Sequence, residues 1–277
     1  MKIVFFGKSD KGKLRKTNED FFACRKISSS EHLFVVADGM GGHQAGDVAS
    51  KLGTLTFVRH YKEKREIKTH IFDALKDSIT AANDAILQKA SDDLKKRGMG
   101  TTFSAIAISN MKAYITHVGD SRIYIVRNNQ ILRLTTDHTF VEKMVEEGRL
   151  TEEEARDHPQ KNILYMSLGA RQSFFPEISE SFDLSEGDIF VLCSDGLNNM
   201  VTDQQIKEYA MAYSPRKAVE KLVKLANDNG GIDNITLLII RIEEHNGSEK
   251  TEPIKIVKKR GKIASFLAKL SRRENES

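Results

Sequence analysis

Residues 33–46 read L-F-V-V-A-D-G-M-G-G-H-Q-A-G and set one carboxylate, Asp38, after an apolar run and before glycines. Leu33, Phe34, Val35 and Val36 have the length and β-branched content of a buried strand. Asp38 is therefore expected at a strand mouth. Gly39, Gly41 and Gly42 would let the chain turn sharply and bring carbonyls close to whatever the acid holds. Four other stretches repeat the construction. Tyr114 to Val118 leads into Gly119-Asp120-Ser121-Arg122, and Ile189 to Cys193 leads into Ser194-Asp195-Gly196. Asp233-Asn234 precedes Ile235 to Ile240, and Asn18-Glu19-Asp20 precedes Phe21-Phe22. Carboxylates gathered at one end of a sheet repel one another, and bound metal cations would neutralise them. Five independent turns in a sheet-rich chain would look the same, so spacing alone leaves both readings open.

Hydrophobic periodicity outlines the elements that must carry these acids. A first strand is expected over Ile3 to Gly7 and a second from Phe21 to about Ile27, with Ser28-Ser29-Ser30-Glu31 as a hairpin loop. From Gln44 to about Lys62, Val48, Leu52, Leu55 and Val58 or Phe57 recur at helical spacing. A second helix, roughly Lys68 to Leu94, places Ile71, Leu75, Ile79, Ala82 and Ile86 on one stripe. Strands follow over Phe103 to Ile108, Lys112 to Val118, Arg122 to Val126 and Gln130 to Leu134, with Asn128-Asn129 as a hairpin turn. Asp137 to Pro159 then turns charged and helical, an insertion in which Thr151-Glu152-Glu153-Glu154 reads as a helix start. Strands near Glu177 to Phe182 and over Asp188 to Ser194 lead to helices over Asp203 to Ala212 and Pro215 to Asp228. Ser214 suits the N-cap of the latter and Pro215 its first turn. Ile235 to Ile242 is the last strand. Two blocks of strands, each with a pair of helices, predict an α+β fold: two antiparallel sheets stacked as a β-sandwich between helix pairs.

At 277 residues and 39% hydrophobic content, the chain can bury one sizeable core and carry a tail. Cys24 and Cys193 sit in apolar runs without C-x-x-C spacing, so buried thiols in a reducing compartment are expected. The apolar run of Met1 to Gly7 is too short for a signal peptide or a membrane span, and a cytoplasmic location is expected. Net charge is unevenly placed: from His245 to Ser277 nine Lys/Arg oppose four acids, a formal +5, against −1 for the rest. A basic tail on a near-neutral body gives no reason to expect nucleic-acid binding. Beyond Asn246-Gly247-Ser248 and Pro253, Ile263, Phe266, Leu267 and Leu270 fall at helical spacing among Lys262, Lys269, Arg272 and Arg273. That is the pattern of a short basic amphipathic helix suited to an anionic membrane or an acidic partner; a frayed tail touching the body fits it equally.

Taken in order, these motifs resemble the metal-dependent type 2C protein serine/threonine phosphatases, most closely their bacterial branch. The matching stretches begin with Ser9-Asp10-x-Gly12-x-x-Arg15-x-x-Asn18-Glu19-Asp20 and Val36-Ala37-Asp38-Gly39-Met40-Gly41-Gly42-His43. They continue through Met99-Gly100-Thr101-Thr102, Gly119-Asp120-Ser121-Arg122, Asp137-His138 and His158-Pro159-Gln160, and end with Ser194-Asp195-Gly196-Leu197 and Asp233-Asn234-Ile235-Thr236. The resemblance covers about residues 1 to 243. It implies a phosphatase domain over residues 1–244 with a helical flap at about 137–165, and a basic linker and tail at 245–277. It also implies the same sandwich, with two or three Mn²⁺ or Mg²⁺ ions at one end. By that resemblance Asp38 would bridge two metals, the Gly39 carbonyl would bind one, and Asp195 and Asp233 would complete the other. Asp120 with Asp195 would hold a third, weaker ion, and Glu19 and Asp20 would act mainly through metal-bound waters. Hard oxygen donors without His or Cys suit Mn²⁺ and Mg²⁺ rather than zinc.

The implied reaction is hydrolysis of phosphoserine and phosphothreonine on proteins by a water shared between two metals, with Arg15 clamping the phosphate. Arg15 and Asp38 are thus the expected catalytic residues of a monomeric enzyme. Its expected partners are phosphoproteins, with a serine/threonine kinase acting in opposition and the tail peripheral at the membrane. Two departures from the family pattern stand out. Met40 takes a place where some members carry a histidine as general acid; His43, three positions on, suits a structural or helix-start role ahead of that of a substitute acid. Tyr165-Met166 replaces the Thr-Arg pair usual before the small residue and Leu168-Gly169. A catalytically silent phosphoprotein-binding regulator is the alternative function, and the retention of every metal-binding acid speaks against it.

Overall fold

The computed structural model describes residues 1–41, 45–170 and 174–243. Gly42, His43 and the tail from residue 244 onward lie outside the described residues, and with them the expectations attached to His43 and to the amphipathic helix. Strands β1 (Lys2–Asp10), β2 (Asp20–Lys26) and β3 (Glu31–Met40) are followed by helices α1 (Ala45–Glu66) and α2 (Ile71–Asp92). Next come β4 (Gly100–Thr101), β5 (Phe103–Ser109), β6 (Lys112–Val118), β7 (Arg122–Arg127) and β8 (Gln130–Arg133). Two short helices, α3 (Phe140–Glu146) and α4 (Glu152–Asp157), form the insertion. After β9 (Glu177–Ile178), β10 (Phe182–Asp183) and β11 (Ile189–Cys193), the chain closes with α5 (Asp195–Asn198), α6 (Asp203–Ala212), α7 (Pro215–Asp228) and β12 (Ile235–Glu243).

One sheet runs β1-β12-β11-β7-β8; the other runs β10-β6-β5-β3-β2, with β4 added to β3 and β9 to β6. Alternation along the strands explains the stacking, because successive side chains point to opposite faces. In β3, Phe34 and Val36 face the opposite sheet while Leu33, Val35 and Ala37 face α1 and α2. In β12, Leu238, Ile240 and Ile242 face inward between the sheets while Ile235, Leu237 and Ile239 face α6 and α7. Both faces are covered, which is why these strands read as unbroken apolar runs. The sandwich of two antiparallel sheets between helix pairs is the α+β fold anticipated above.

Local differences have physical causes. The buried face of α1 is Ala49, Gly53, Phe57 and Tyr61, whereas Val48 and Leu52 are half-buried and Leu55 is exposed. Gly53 is small because α1 lies close on α2: a Cβ at Gly53 would meet Ile86 Cδ1 of that helix at 3.0 Å. The strand expected near Glu177 to Phe182 is split into β9 and β10. Between them Ser179 N–H donates to the Ile115 carbonyl while its hydroxyl takes the Ile115 N–H at 2.9 Å, in place of a ladder carbonyl. Asn128 and Asn129 both adopt left-handed φ, 50° and 57°, as a two-residue hairpin turn requires. Thr151 and Glu154 form a reciprocal capping box, but Ser214 holds the N-cap position of α7 without a side-chain cap bond.

At the end of the sandwich away from the acids, Arg127 pairs with Asp188 through bonds of 2.7 and 2.5 Å, with side chains only 7% and 1% exposed. Removing one partner would strand a buried charge, so Asp188→Ala is expected to cost about 3–5 kcal/mol. Glu243→Ala, which breaks the exposed pair with Lys2, is expected to cost under about 1 kcal/mol. Urea midpoints of the two variants check this; equal shifts would contradict it.

Candidate active site

β3 does not stop at Val36. Gly39 and Met40 pair with Thr101 and Gly100 of β4, so Asp38 lies inside a strand rather than at its mouth. Three bonds from the Thr101-Thr102 pair hold its backbone. Thr102 Oγ1 accepts from Asp38 N–H at 2.9 Å, Thr102 N–H donates to the Asp38 carbonyl at 2.9 Å, and Thr101 Oγ1 donates to that carbonyl at 2.8 Å. Gly39 is not among the residues with positive φ. It is glycine for space: a Cβ there would lie 2.1 Å from the Gly46 carbonyl oxygen and 2.5 Å from that of Glu19. Of the described glycines in that run, Gly41, with φ of 146°, takes the backbone conformation expected of a turn.

The two sheets bring the remaining acids to Asp38. Asp20 pairs with it directly across the β2–β3 ladder. Asp120 follows β6 in the turn before β7, Asp195 opens α5 immediately after β11, and Asp233 precedes β12. Asp38, Asp120, Asp195 and Asp233 line one cavity of about 410 Å³, together with Glu19, Gly39, Met40 and Arg15. Asp20 lies beneath it, buried, with Oδ2 accepting from Ser194 Oγ at 2.7 Å. All seven residues singled out as catalytic or metal-binding are therefore in one place. Arg15 Nη2 donates to Asp233 Oδ2 at 2.6 Å at the rim.

Electrostatics shows how tightly the acids are gathered. Burial, then the charges of Asp20, Asp195, Asp120 and Asp233, hold the Asp38 carboxyl well above the usual carboxylate range. Burial and then Asp195 do the same to Asp120. Asp20 is pushed up to about 7, chiefly by burial against the hydrogen bonds that oppose it. Asp195 is pushed up to about 6 by burial and the charge of Asp233. Asp38, Asp120 and Asp195 each keep an edge open to the cavity although they lie deep in the fold.

Buried carboxylate oxygens ordinarily have partners. Asp20 Oδ1 and Asp195 Oδ1 are buried with no hydrogen-bond partner among the described residues. No three described His, Cys, Asp or Glu side chains close on one point as a finished metal cage. Oxygen donors opposed across a cavity, with orphaned lone pairs and no nitrogen or sulfur ligand, fit hard divalent cations that keep part of their water. The residues present thus suit Mg²⁺ or Mn²⁺ better than Zn²⁺.

Sequence reading left several contributors without a role. Asn234 ties three segments together: Oδ1 accepts from Glu19 N–H at 2.8 Å, and Nδ2 donates to the carbonyls of Lys11 and Thr17, both at 2.9 Å. Thr102 Oγ1 lies 2.6 Å from Ser121 Oγ, tying the Asp38 region to the turn that carries Asp120. Asn162, Leu164 and Ser167 of the insertion also line the cavity. Their neighbours Asp233 and Asp120 mark the first two, but nothing local marks the insertion.

Comparison with known proteins follows this geometry. A family model described as "Protein phosphatase 2C" matches residues 6–235. Protein phosphatase PhpP of Streptococcus pneumoniae is 34% identical over 247 residues, covering 86% of this chain and 97% of that protein. Serine/threonine protein phosphatase PstP of Mycobacterium tuberculosis is 33% identical over 255 residues, covering 91% of this chain; the chain spans 47% of the length of PstP. The crystal structure of the PstP catalytic domain in complex with two manganese ions matches at 32% identity with a TM-score of 0.77, covering 87% of this chain and 99% of that one. Because the match runs from β1 to the first residue of β12, through both sheets and past every carboxylate of the cavity, the chain belongs to the protein phosphatase 2C family.

Proposed function

We propose that this chain hydrolyses phosphoserine and phosphothreonine esters on proteins, with Mn²⁺ or Mg²⁺ held in the carboxylate cavity. One observation carries the reading: four aspartates from both sheets meet in a single cavity, two buried carboxylate oxygens lack partners among the described residues, and a guanidinium stands at the rim. The metal-bound PstP relative supports the choice of ion. Asp38 and the Gly39 carbonyl, with Asp195 and Asp233, would hold two ions; Asp120 with Asp195 would hold a third, and Glu19 and Asp20 would reach them through water. When bound, such ions acidify water and offset the charge that builds on phosphoryl oxygens.

The chain's own side chains supply the rest. Arg15 is half-exposed, and its planar fork can grip two oxygens of a phosphate monoester, a geometry that lysine lacks. Meanwhile it neutralises Asp233, whose hydrogen bond is the main reason the Arg15 charge is held so firmly. Cys193 does not compete as a nucleophile: it is fully buried, and burial pushes its thiol up, away from the thiolate. Residues 1–244 would form the catalytic unit. Phosphoproteins would be its substrates and a serine/threonine kinase its counterpart; the chain would act as a monomer in the cytoplasm, with the basic tail resting on anionic membrane. Among the described residues no helix is long and apolar enough to cross a membrane.

Activity on a phosphothreonine peptide is expected to require Mn²⁺ or Mg²⁺ and to vanish in EDTA. Asp38→Ala and Asp233→Ala should each lower kcat by roughly a thousandfold or more, the scale of losing several kcal/mol of metal stabilisation. Arg15→Ala should lower kcat/KM by roughly 10²-fold, and Arg15→Lys should recover only part of that. Activity that survives EDTA or Asp38→Ala would sink the reading.

Stability provides a second check. Asp20 and Asp195 have folded-state values raised to about 7 and about 6 from an ordinary 3.8. Their contribution to metal-free stability is therefore full below about pH 4 and is lost as pH rises through 6 to 7. His117 and His138, held neutral by burial, act in the opposite sense below about pH 6.5. They do so with or without metal, so the readout is the metal-induced gain in Tm. That gain should grow steadily from pH 5 to pH 8 in calorimetry with Mn²⁺ against EDTA, and a pH-independent gain would contradict the account.

A further inference from the structure

The return segment of the insertion, residues 162–168, runs along the rim of the cavity and contributes Asn162, Leu164 and Ser167 to its lining. Both ends are tied down. Leu168 exchanges backbone bonds of 2.9 and 3.0 Å with Thr101, whose hydroxyl holds the Asp38 carbonyl, and Leu164 is bridged to Thr139. Tyr165 sits between them. Its N–H donates to the His138 carbonyl at 2.9 Å, and its ring lies 5.4 Å from the His138 ring and 6.1 Å from the Phe140 ring, edge to face with the latter.

His138 is in turn locked to the turn that carries Asp120. Its Nδ1 accepts from Gly119 N–H at 3.1 Å, and its own N–H donates to the Gly119 carbonyl at 2.7 Å. Behind it the fully buried His117 ring lies 4.9 Å away. His117 Nε2 is 3.0 Å from the Thr136 carbonyl, an acceptor only, so that nitrogen carries the proton. Its Nδ1 meets Ser104 Oγ at 2.9 Å. The result is a rigid platform under the Tyr165 ring.

Among the described residues, few side chains of the insertion beyond Thr139 are buried. Helix α3 buries only Val141, while Phe140 and Ile163 are 46% and 45% exposed. Its main polar anchors, Arg122 with Asp137 and Arg133 with Glu142, hold the outgoing end of the insertion and α3, not the return segment. Met166, beside Tyr165, packs against the α1–α2 core.

We propose that Tyr165 is a positioning residue for the substrate: through His138 its ring clasps the return segment to the Asp120 turn and fixes where Asn162 and Ser167 meet the polypeptide around the phosphorylated residue. This rests on the phosphatase reading above. A small phosphate ester, which has no flanking polypeptide, does not need the clasp.

The test compares Tyr165→Ala and Tyr165→Phe with the wild type, on a phosphothreonine peptide and on a small aryl phosphate with Mn²⁺. Amide hydrogen exchange of the full chain in EDTA accompanies the kinetics. Tyr165→Ala is expected to raise the peptide KM by roughly tenfold, the scale of losing aromatic ring contacts, and to leave kcat on the aryl phosphate unchanged. The amides of Phe140 and Tyr165, which join the return segment to the start of the insertion, should exchange faster in that variant while those of Gly119 and His138 stay protected, and Tyr165→Phe, which keeps the ring, should match the wild type in every measurement. An unchanged peptide KM, an equal loss on both substrates, or a Tyr165→Phe variant as impaired as Tyr165→Ala would overturn the proposal. A wild type inactive on both substrates would remove the phosphatase reading instead; unchanged exchange in Tyr165→Ala would then overturn the clasp on its own.

Discussion

Mutual repulsion among buried carboxylates is the constraint on which this structure depends. Asp20 and Asp38 oppose each other in one sheet, and Asp195 and Asp233 approach from the other. Burial first, and the neighbouring acids after it, hold Asp20, Asp38, Asp120 and Asp195 above the usual carboxylate range, so such charges cannot all ionise without compensation. A fold that tolerates the arrangement must gain elsewhere. The three apolar layers, one between the sheets and one under each helix pair, supply that gain.

Rigidity of the backbone around the acids is what keeps the repulsion from relaxing. Gly39 and Gly46 let β3 and α1 approach more closely than any side chain would allow. Asn234 stitches the loop after β1 to the start of β12, and the Thr102–Ser121 contact binds the Asp38 strand to the Asp120 turn. Preorganised charge of this kind is stabilising only to a partner that brings opposite charge. On the proposed reading a pair of divalent ions would do so, and a phosphate drawn to Arg15 would then complete the balance.

The strand order and the acids were legible in the sequence because their signals are local. Runs such as Leu33 to Val36 and Ile235 to Ile240 are apolar on both faces, and each acid borders its run directly. The α2 stripe was legible for the same reason. What escaped depends on contacts between distant segments. The inner face of α1 is set by how the helix packs against α2 and the sheet, so Ala49, Gly53, Phe57 and Tyr61 face inward and Leu55 is exposed. Gly39 looked like a turn residue because the Gly46 carbonyl that excludes its side chain is seven positions on, in α1. Tyr165 read as a departure from a family pattern next to the flap, with a bearing on substrate choice but no partner, since His138 and His117 reach it through tertiary packing.

Counting the ions tests the central claim most directly. Titration of the metal-free chain with Mn²⁺, followed by calorimetry and by the electron paramagnetic resonance of free Mn²⁺, is expected to show at least two ions bound per chain. Asp38→Asn should abolish the tight pair, and Asp120→Asn should remove only a weaker site. A wild type that binds no Mn²⁺, or an Asp38→Asn variant that binds as many ions as the wild type, would contradict the account.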